Sequence, residues 1–422
     1  MDDQHVLLIA GSVRWTLPRR QPAEAFEVNR DMKARFGVVC TVRRVVHFPW
    51  SSTVEGAYVI DHRSGSLSSL PADARWVHVD EIDRFATDAD CRVIRECLHQ
   101  TDTKRLAWEH PQWFDEVVRW STDELTRQKI VLHGPGLQMS HRAWSAIVRF
   151  STSEGYVYFK ATSPAFSHEP RITFLLNRWF PENIPTVIAI DDTRHWMLLR
   201  DFRTADRQRR SSRERGNRLT DALTRYAEIQ LDMTRRGDQM QHLGCPDRRP
   251  HILPNLLRDL LHSGGNGTLP TEDLHTLLRY VDRGFAEACA TIADAGLPST
   301  LVNSDFWMGN ISFDAEEILF YDWAESILAN PLHSLVTFFQ ALDVSPSQNG
   351  AAREAARTYL SVWSEYGSPD QLWSWYEIAQ PLGVACRALS WQQTLDHTPP
   401  RAQAKYATAV DINLGRLLQF AK

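Results

Sequence analysis

The stretch from residue 301 to residue 335, LVNSDFWMGNISFDAEEILFYDWAESILANPLHSL, constrains the fold more than any other part of the chain. A short apolar run at 300–302 leads into a polar loop that contains a glycine, which predicts a strand that ends at this loop. Residues 311–313 and 318–321 are predicted as two further strands, joined by the acidic segment 314–317. A hairpin of this size returns the chain to its starting point.

Three side chains that carry oxygen atoms stand on this frame. Asp305 and Asn310 bracket the loop, and Asp322 follows the hairpin. We expect Asp322 to lie beside Asn310, with Asp305 facing both across the loop. Phosphoryl transfer needs a group that orients and deprotonates a hydroxyl, together with hard oxygen ligands for Mg²⁺. Asp and Asn are also common in ordinary loops and caps, so D-x-x-x-x-N alone has a purely structural interpretation as well.

The order D-x-x-x-x-N, hairpin, D-W resembles the catalytic core of the aminoglycoside phosphotransferase and choline kinase-like family, which is related to protein kinases. The resemblance implies that Asp305 is the catalytic base and that Asn310 and Asp322 hold Mg²⁺. Trp307, two residues after the aspartate, adds a likeness to the fructosamine kinase-like members of that family.

The chain departs from the family pattern at supporting positions. Asn303 and Ser304 stand where the family has His and Gly. Asn330 and Ser334 stand where the family carries acids in a later segment. We expect these changes to alter supporting hydrogen bonds, and through them rate and loop rigidity, rather than the reacting positions.

The resemblance implies an α+β protein kinase-like bilobal fold, with a small β lobe and a larger helical lobe, preceded by a separate small α/β domain. At 422 residues the chain has room for two or three domains. We predict a Nudix-like domain at 1–100, a Trp-rich helical connector at 101–130, a kinase-like N-lobe at 131–202, and a helical C-lobe with catalytic loop and acceptor pocket at 203–422.

The likeness of the first hundred residues to Nudix domains rests on a predicted helix that ends at Gly37 and reads RDMKARFG near its end. Ala34 and Arg35 occupy the positions of two metal-binding glutamates. Without those carboxylates a diphosphate hydrolase lacks its Mg²⁺ ligands. We therefore expect a non-hydrolytic domain that serves in binding or docking.

Four upstream residues match the nucleotide site of the family by their order along the chain. Lys160 ends the predicted strand VYFKA and would contact the phosphates, while Glu169 in the following helix would hold that lysine. Leu199 and Asp201 lie in the predicted hinge, where main-chain groups would bind the adenine edge. A lone lysine at a strand end is ordinarily a solvated charge, so this assignment depends on the Asp305 loop.

Composition limits the classes of partner. The formal net charge of −5 argues against a general nucleic-acid binder, although residues 203–218 are rich in arginine. Such a run is usually a solvated surface, and the alternative is a site for an anionic substrate or a nucleic acid. No window has the apolar length of a membrane span, and six cysteines without C-x-x-C spacing indicate reduced thiols. We expect a cytoplasmic protein without a membrane partner.

The sequence thus predicts a small-molecule kinase that moves the γ-phosphoryl group of ATP, with Mg²⁺, to a hydroxyl of its acceptor. GTP as donor stays open, as does the choice between an aminoglycoside and a metabolic or biosynthetic acceptor. One alternative is a nucleotide-binding regulatory module with little catalysis. Another is nucleotidyl transfer or carboxylate activation at the same site.

Overall fold

The computed structural model describes residues 5–11, 14–18, 24–47, 56–64, 70–99, 105–202, 212–263, 269–313 and 317–422. The chain divides into two compact units. The first comprises Met1–Ser163 with Thr398–Lys405, and the second comprises Pro164–His397 with Tyr406–Lys422. The four-part division expected from the sequence stays a prediction.

The first unit is built on antiparallel strands. Strand β1 pairs with β2 and β5, β3 pairs with β4, and β7 pairs with β6 and β8. The strands are β1 (His5–Ala10), β2 (Trp15–Thr16), β3 (Val39–His47), β4 (Gly56–Ser64), β5 (Ala74–His78), β6 (Leu132–His141), β7 (Ser145–Thr152) and β8 (Gly155–Thr162). The helices are α1 (Ala25–Phe36), α2 (Ile82–Phe85), α3 (Asp88–His99) and α4 (Trp113–Arg127).

Helix α1 ends where its sequence predicts, and both of its ends are capped. Glu27 accepts a hydrogen bond from the backbone N–H of Glu24 at 3.1 Å, which satisfies a group at the helix start. At the other end Gly37 has a φ of 68°, a left-handed conformation that glycine adopts without the strain of a Cβ atom. The predicted end of the helix at Gly37 is confirmed.

Two tryptophans of the Trp-rich segment 101–130 lie on α4. Trp113 and Trp120 each meet the ring of Phe159 edge-on, with centroids 5.9 Å apart. Val117 between them is fully buried. Because side chains alternate along β8, Lys160 lies on the opposite face of that strand from Phe159.

Gln138 joins β6 to β3 through a buried side chain. Its amide oxygen accepts from Val42 N at 2.7 Å, and its amide nitrogen donates to Val42 O at 2.8 Å.

We expect Gln138→Ala to lower the free energy of unfolding by about 2 kcal/mol, because two buried backbone groups lose their partner. Urea denaturation measures this, with the exposed Gln128→Ala as control. Equal stability of the two variants would contradict the prediction.

The second unit is mainly helical. Its strands are β9 (Val187–Asp191), β10 (Trp196–Arg200), β11 (Thr300–Asn303), β12 (Ile311–Phe313), β13 (Ile318–Phe320) and β14 (Ser326–Ala329). Its helices are α5 (Glu169–Trp179), α6 (Ser212–Met233), α7 (Gly237–His242), α8 (Leu253–His262), α9 (Thr271–Tyr280), α10 (Ala286–Asp294), α11 (Leu332–Ala341), α12 (Gly350–Ser361), α13 (Pro369–Ile378), α14 (Gln380–Asp396), α15 (Pro400–Tyr406, most of it in the first unit) and α16 (Thr408–Ala421).

Helix α14 is enclosed in the second unit. It contacts α8, α11 and α16, and most of its residues are buried. The backbone of α14 is therefore held in place by its neighbours, and so is the point of attachment of each of its side chains. None of the helices in the described ranges has the length and apolar character that a membrane crossing requires.

Candidate active site

Two short strand pairs hold the loop that the sequence singled out. Strand β11 pairs antiparallel with β14, and β12 pairs antiparallel with β13. The strands predicted at 300–302, 311–313 and 318–321 are confirmed to within one residue. The loop from 304 to 310 therefore leaves one pair and enters the other.

Asp305 and Asn310 lie together across this loop. The Nδ2 atom of Asn310 donates to the Asp305 main-chain oxygen at 2.9 Å and to its carboxylate Oδ2 at 3.1 Å. The carbonyl oxygen Oδ1 of Asn310 consequently points away from that carboxylate. About a third of the Asp305 side chain (35%) is exposed, so a reactant can reach it.

Asp322 follows the hairpin in a left-handed conformation, with a φ of 62° and an exposed side chain. Its neighbour Tyr321 donates its backbone N–H to Asn310 O at 3.1 Å, which joins the hairpin exit to the loop end. Asn303 completes the connection, because Nδ2 donates to Asp322 O and Oδ1 accepts from Asp305 N, both at 2.9 Å. Asn303, at the position where the family pattern has histidine, thus joins the backbone at Asp305 to the backbone at Asp322.

The other departures from the family pattern also form supporting hydrogen bonds. Ser304 Oγ lies 3.1 Å from His333 Nε2. Burial lowers the pKa of His333 to about 3, so the ring is neutral at pH 7. Asn330 Oδ1 accepts from Leu332 N at 3.0 Å, and Ser334 Oγ accepts from Gln230 Nε2 at 3.0 Å.

Aromatic rings pack beneath the loop. Tyr226 on α6 stacks on Phe306, with centroids 3.9 Å apart, and lies 6.1 Å from Trp323 in a parallel arrangement. Its hydroxyl accepts from Asn303 N at 2.9 Å. The residue next to Asp305 and the residue next to Asp322 are therefore fixed by the same buried ring.

Trp307 covers the middle of the loop. The residue is 43% exposed. A Cβ atom at Gly309 would lie 2.2 Å from the Trp307 ring, a distance that real Cβ atoms do not show. A side chain at 309 would therefore displace the indole from this position.

Arg387 on α14 reaches the loop from 304 to 310. Its Nη2 lies 3.3 Å from Asp305 Oδ1, and its Nη1 donates to Ser304 O at 2.9 Å and to Glu325 Oε2 at 2.5 Å. Burial raises the pKa of Asp305, Arg387 lowers it, and Asp322 raises it. Burial raises the pKa of Glu325 to about 7 against the opposing effect of Arg387.

The residues predicted for nucleotide contact fall in both units. Lys160 lies on β8 of the first unit and is 8% exposed. Glu169, Leu199 and Asp201 belong to the second unit. Glu169 opens α5 and is fully buried. Its neighbour His168 lies with Nε2 3.0 Å from Ala324 O, so the start of α5 is held to the segment after Asp322.

The predicted hinge is held to the hairpin of the second unit. Leu199 is buried on β10, and Asp201 follows that strand with its side chain exposed. The main-chain oxygen of Phe202, the next residue, accepts from Ser312 Oγ on β12 at 2.9 Å. The Phe202 ring lies 4.8 Å from that of Tyr321.

The oxygen set of Asn310 and Asp322 suits a hard cation such as Mg²⁺, which prefers carboxylate and amide oxygens and keeps part of its water. Among the described residues, no three His, Cys, Asp or Glu side chains form a metal cluster. A site of one carboxylate and one amide oxygen would thus be completed by water and substrate phosphates.

The arginine-rich segment falls largely outside the described residues, which resume at 212 without side-chain detail until 218.

Sequence reasoning missed Arg387 and Glu325. A carboxylate three residues after Asp322 was a local signal that could have drawn attention to Glu325. Arg387 had no such signal, because its approach depends on how α14 packs.

Comparison with known proteins gives a structural likeness alone. No protein-family model matches the chain, and no curated protein matches its sequence. An ethanolamine kinase of Plasmodium vivax matches 78% of this chain and 95% of its own, with 11% identity and a TM-score of 0.50. A macrolide 2'-phosphotransferase type I has 14% identity over 75% of this chain and 98% of its own, with a TM-score of 0.47.

A choline/ethanolamine kinase family protein from Mesorhizobium loti also matches, with 15% identity over 68% of this chain and 88% of its own and a TM-score of 0.46. The Nudix-like interpretation of the first hundred residues receives no support from these comparisons. The predicted fold class, α+β and protein kinase-like, is confirmed. In its fold the chain is similar to the ethanolamine kinase of Plasmodium vivax, a kinase of the kind that residues 301–335 indicated.

Proposed function

We propose that the chain is a small-molecule kinase that transfers the γ-phosphoryl group of ATP to a hydroxyl of its acceptor. The observation that carries this proposal is the Asp305 carboxylate, held by Asn310 at 3.1 Å on a loop whose end is joined to Tyr321, the residue before Asp322. A kinase-like fold supports the same conclusion. Positioning and charge neutralisation supply most of the catalysis in such a transfer.

Asp305 would orient the acceptor hydroxyl and take its proton as the oxygen attacks phosphorus. Its Oδ2 is fixed by Asn310, and its partial exposure leaves room for the hydroxyl. Asn310 through Oδ1 and Asp322 through its carboxylate would hold Mg²⁺. When bound, that ion neutralises negative charge on the phosphates.

The nucleotide-contact roles predicted for four upstream residues remain part of this proposal. Lys160 would bind the phosphates and Glu169 would hold that lysine. Leu199 and Asp201 would contact the adenine edge through main-chain groups.

The proposal includes action in the cytoplasm. All six cysteines are free thiols, which is the usual state in a reducing compartment. The acceptor class is defined only by its hydroxyl group.

Replacement of Asp322 tests the metal role. We expect Asp322→Asn to weaken the binding of ATP in the presence of Mg²⁺ by at least about tenfold, because a metal ligand loses its charge. Asn tolerates the left-handed backbone at this position, so the fold is preserved. Calorimetric titration with ATP and with GTP, each with and without Mg²⁺, measures the effect.

The matched control is Asp343→Asn, since Asp343 is also exposed and left-handed, with a φ of 54°. This variant is expected to bind nucleotide as the wild type does. A wild-type chain that binds neither nucleotide would contradict the proposed function. Mass spectrometry then identifies the products: ADP with a phosphorylated acceptor supports phosphoryl transfer, whereas AMP or pyrophosphate indicates nucleotidyl transfer or carboxylate activation.

A further inference from the structure

Arg387 makes three contacts at the catalytic loop, and each of them involves a different residue. It binds the Ser304 carbonyl, the Glu325 carboxylate and the Asp305 carboxylate, at 2.9, 2.5 and 3.3 Å. Only 15% of its side chain is exposed. The guanidinium therefore fixes both the carboxylate of Asp305 and the backbone of the residue before it.

Glu325 connects Arg387 to the frame of the site. Its main-chain oxygen accepts from Ser304 N at 2.9 Å, and its side chain, 18% exposed, accepts from Arg387. Ser304 is thus bound on both sides, at its N–H by Glu325 and at its carbonyl by Arg387. A planar guanidinium with fixed donor directions suits such a junction better than a flexible ammonium group.

The two oxygens of the Asp305 carboxylate contact different side chains. Asn310 donates to Oδ2, and Arg387 lies at Oδ1. Loss of either one would let the carboxylate rotate about its side-chain torsions. Catalysis is sensitive to such rotation, because a displacement of about 1 Å costs as much as a hundredfold in rate.

We propose that Arg387 is a positioning residue for the Asp305 carboxylate and that Glu325 holds Arg387 in place. This inference rests on the proposed function. Arg387 acts through Asp305 and itself transfers no proton. Its removal should therefore lower kcat and leave the KM for ATP unchanged.

The test uses the full chain with Mg-ATP and water as the probe acceptor, so that ATP and H₂O give ADP and phosphate. We expect Arg387→Gln to lower the kcat of ADP formation by about 10- to 100-fold, with the KM for ATP within about twofold. Arg387→Lys should recover part of the loss, because it keeps the charge but not the planar fork. Glu325→Gln should give a smaller decrease, since Arg387 keeps its contact with Ser304.

A double-variant cycle separates positioning from a general structural role. In the Asp305→Asn background, Arg387→Gln should change kcat by less than about twofold, because the carboxylate it positions is absent. The control is Arg258→Gln, which removes an exposed ion pair with Asp282 elsewhere in the same unit and should leave kcat unchanged. Urea unfolding of every variant shows whether it is folded.

Two results would overturn the inference. One is an unchanged kcat in Arg387→Gln, and the other is an equal loss of kcat with and without the Asp305 carboxylate. If Arg387→Gln does not fold, Arg387→Lys and Glu325→Gln decide the question by the same kcat and KM comparison. Failure of the proposed function gives a different pattern, in which the wild type neither binds Mg-ATP nor forms ADP, and the inference then falls with it.

Discussion

Asp305→Asn is expected to lower the turnover of phosphoryl transfer by about 10²- to 10⁴-fold, because the acceptor hydroxyl loses the group that takes its proton. The amide keeps the size of the carboxylate and still fits beside Asn310. Nucleotide affinity should change little, since the proposed metal ligands are Asn310 and Asp322. ADP formation from Mg-ATP measures turnover, and calorimetry measures affinity.

The control for this variant is again Asp343→Asn, which makes the same chemical change at an exposed position of the same unit. It should retain wild-type turnover. Full turnover in Asp305→Asn would show that another group accepts the proton, and the base assignment would be wrong. A loss of nucleotide affinity equal to the loss of turnover would instead place Asp305 in binding.

Tyr226→Ala is expected to lower the free energy of unfolding of the second unit by about 3–5 kcal/mol, since it removes a large, fully buried ring. The cavity would lie beneath the Asp305 loop, between Phe306 and Trp323. Aromatic stacking at these distances adds to the loss. Urea denaturation followed by tryptophan fluorescence measures the change.

Tyr226→Phe separates the hydroxyl from the ring. It keeps the stacking but leaves Asn303 N without its acceptor, which should cost about 1–3 kcal/mol. The phenylalanine variant is therefore expected to unfold between the wild type and the alanine variant. An alanine variant within about 1 kcal/mol of wild type would contradict the packing described for this ring.

The local part of the candidate site was predictable from the sequence. Asp305 and Asn310 belong to one short loop, and the strand signals on either side fix where that loop begins and ends. The spacing alone therefore brings the two side chains within reach of each other. The same holds for α1, whose end at Gly37 follows from the conformational freedom of glycine.

The family resemblance treated Asn303, Ser304, Asn330 and Ser334 as departures that would alter supporting hydrogen bonds. The structure gives each of them a hydrogen-bond partner in the second unit. Which partners they have was beyond the sequence, because the bonds of Asn303, Ser304 and Ser334 join segments that pattern analysis considers separately.

The sequence by itself determined the strands β11, β12 and β13 and the proximity of Asp305 to Asn310, and the kinase-like fold class followed from the resemblance of residues 301–335 to a known family. Only the tertiary structure decided that Tyr226 supports the loop from below and that Arg387 and Glu325 hold its first residues. The physical reason is the range of the interactions. Loop spacing and strand periodicity act between near neighbours, whereas the approach of Arg387 to Asp305 depends on the packing of a buried helix, α14, against other helices of its unit.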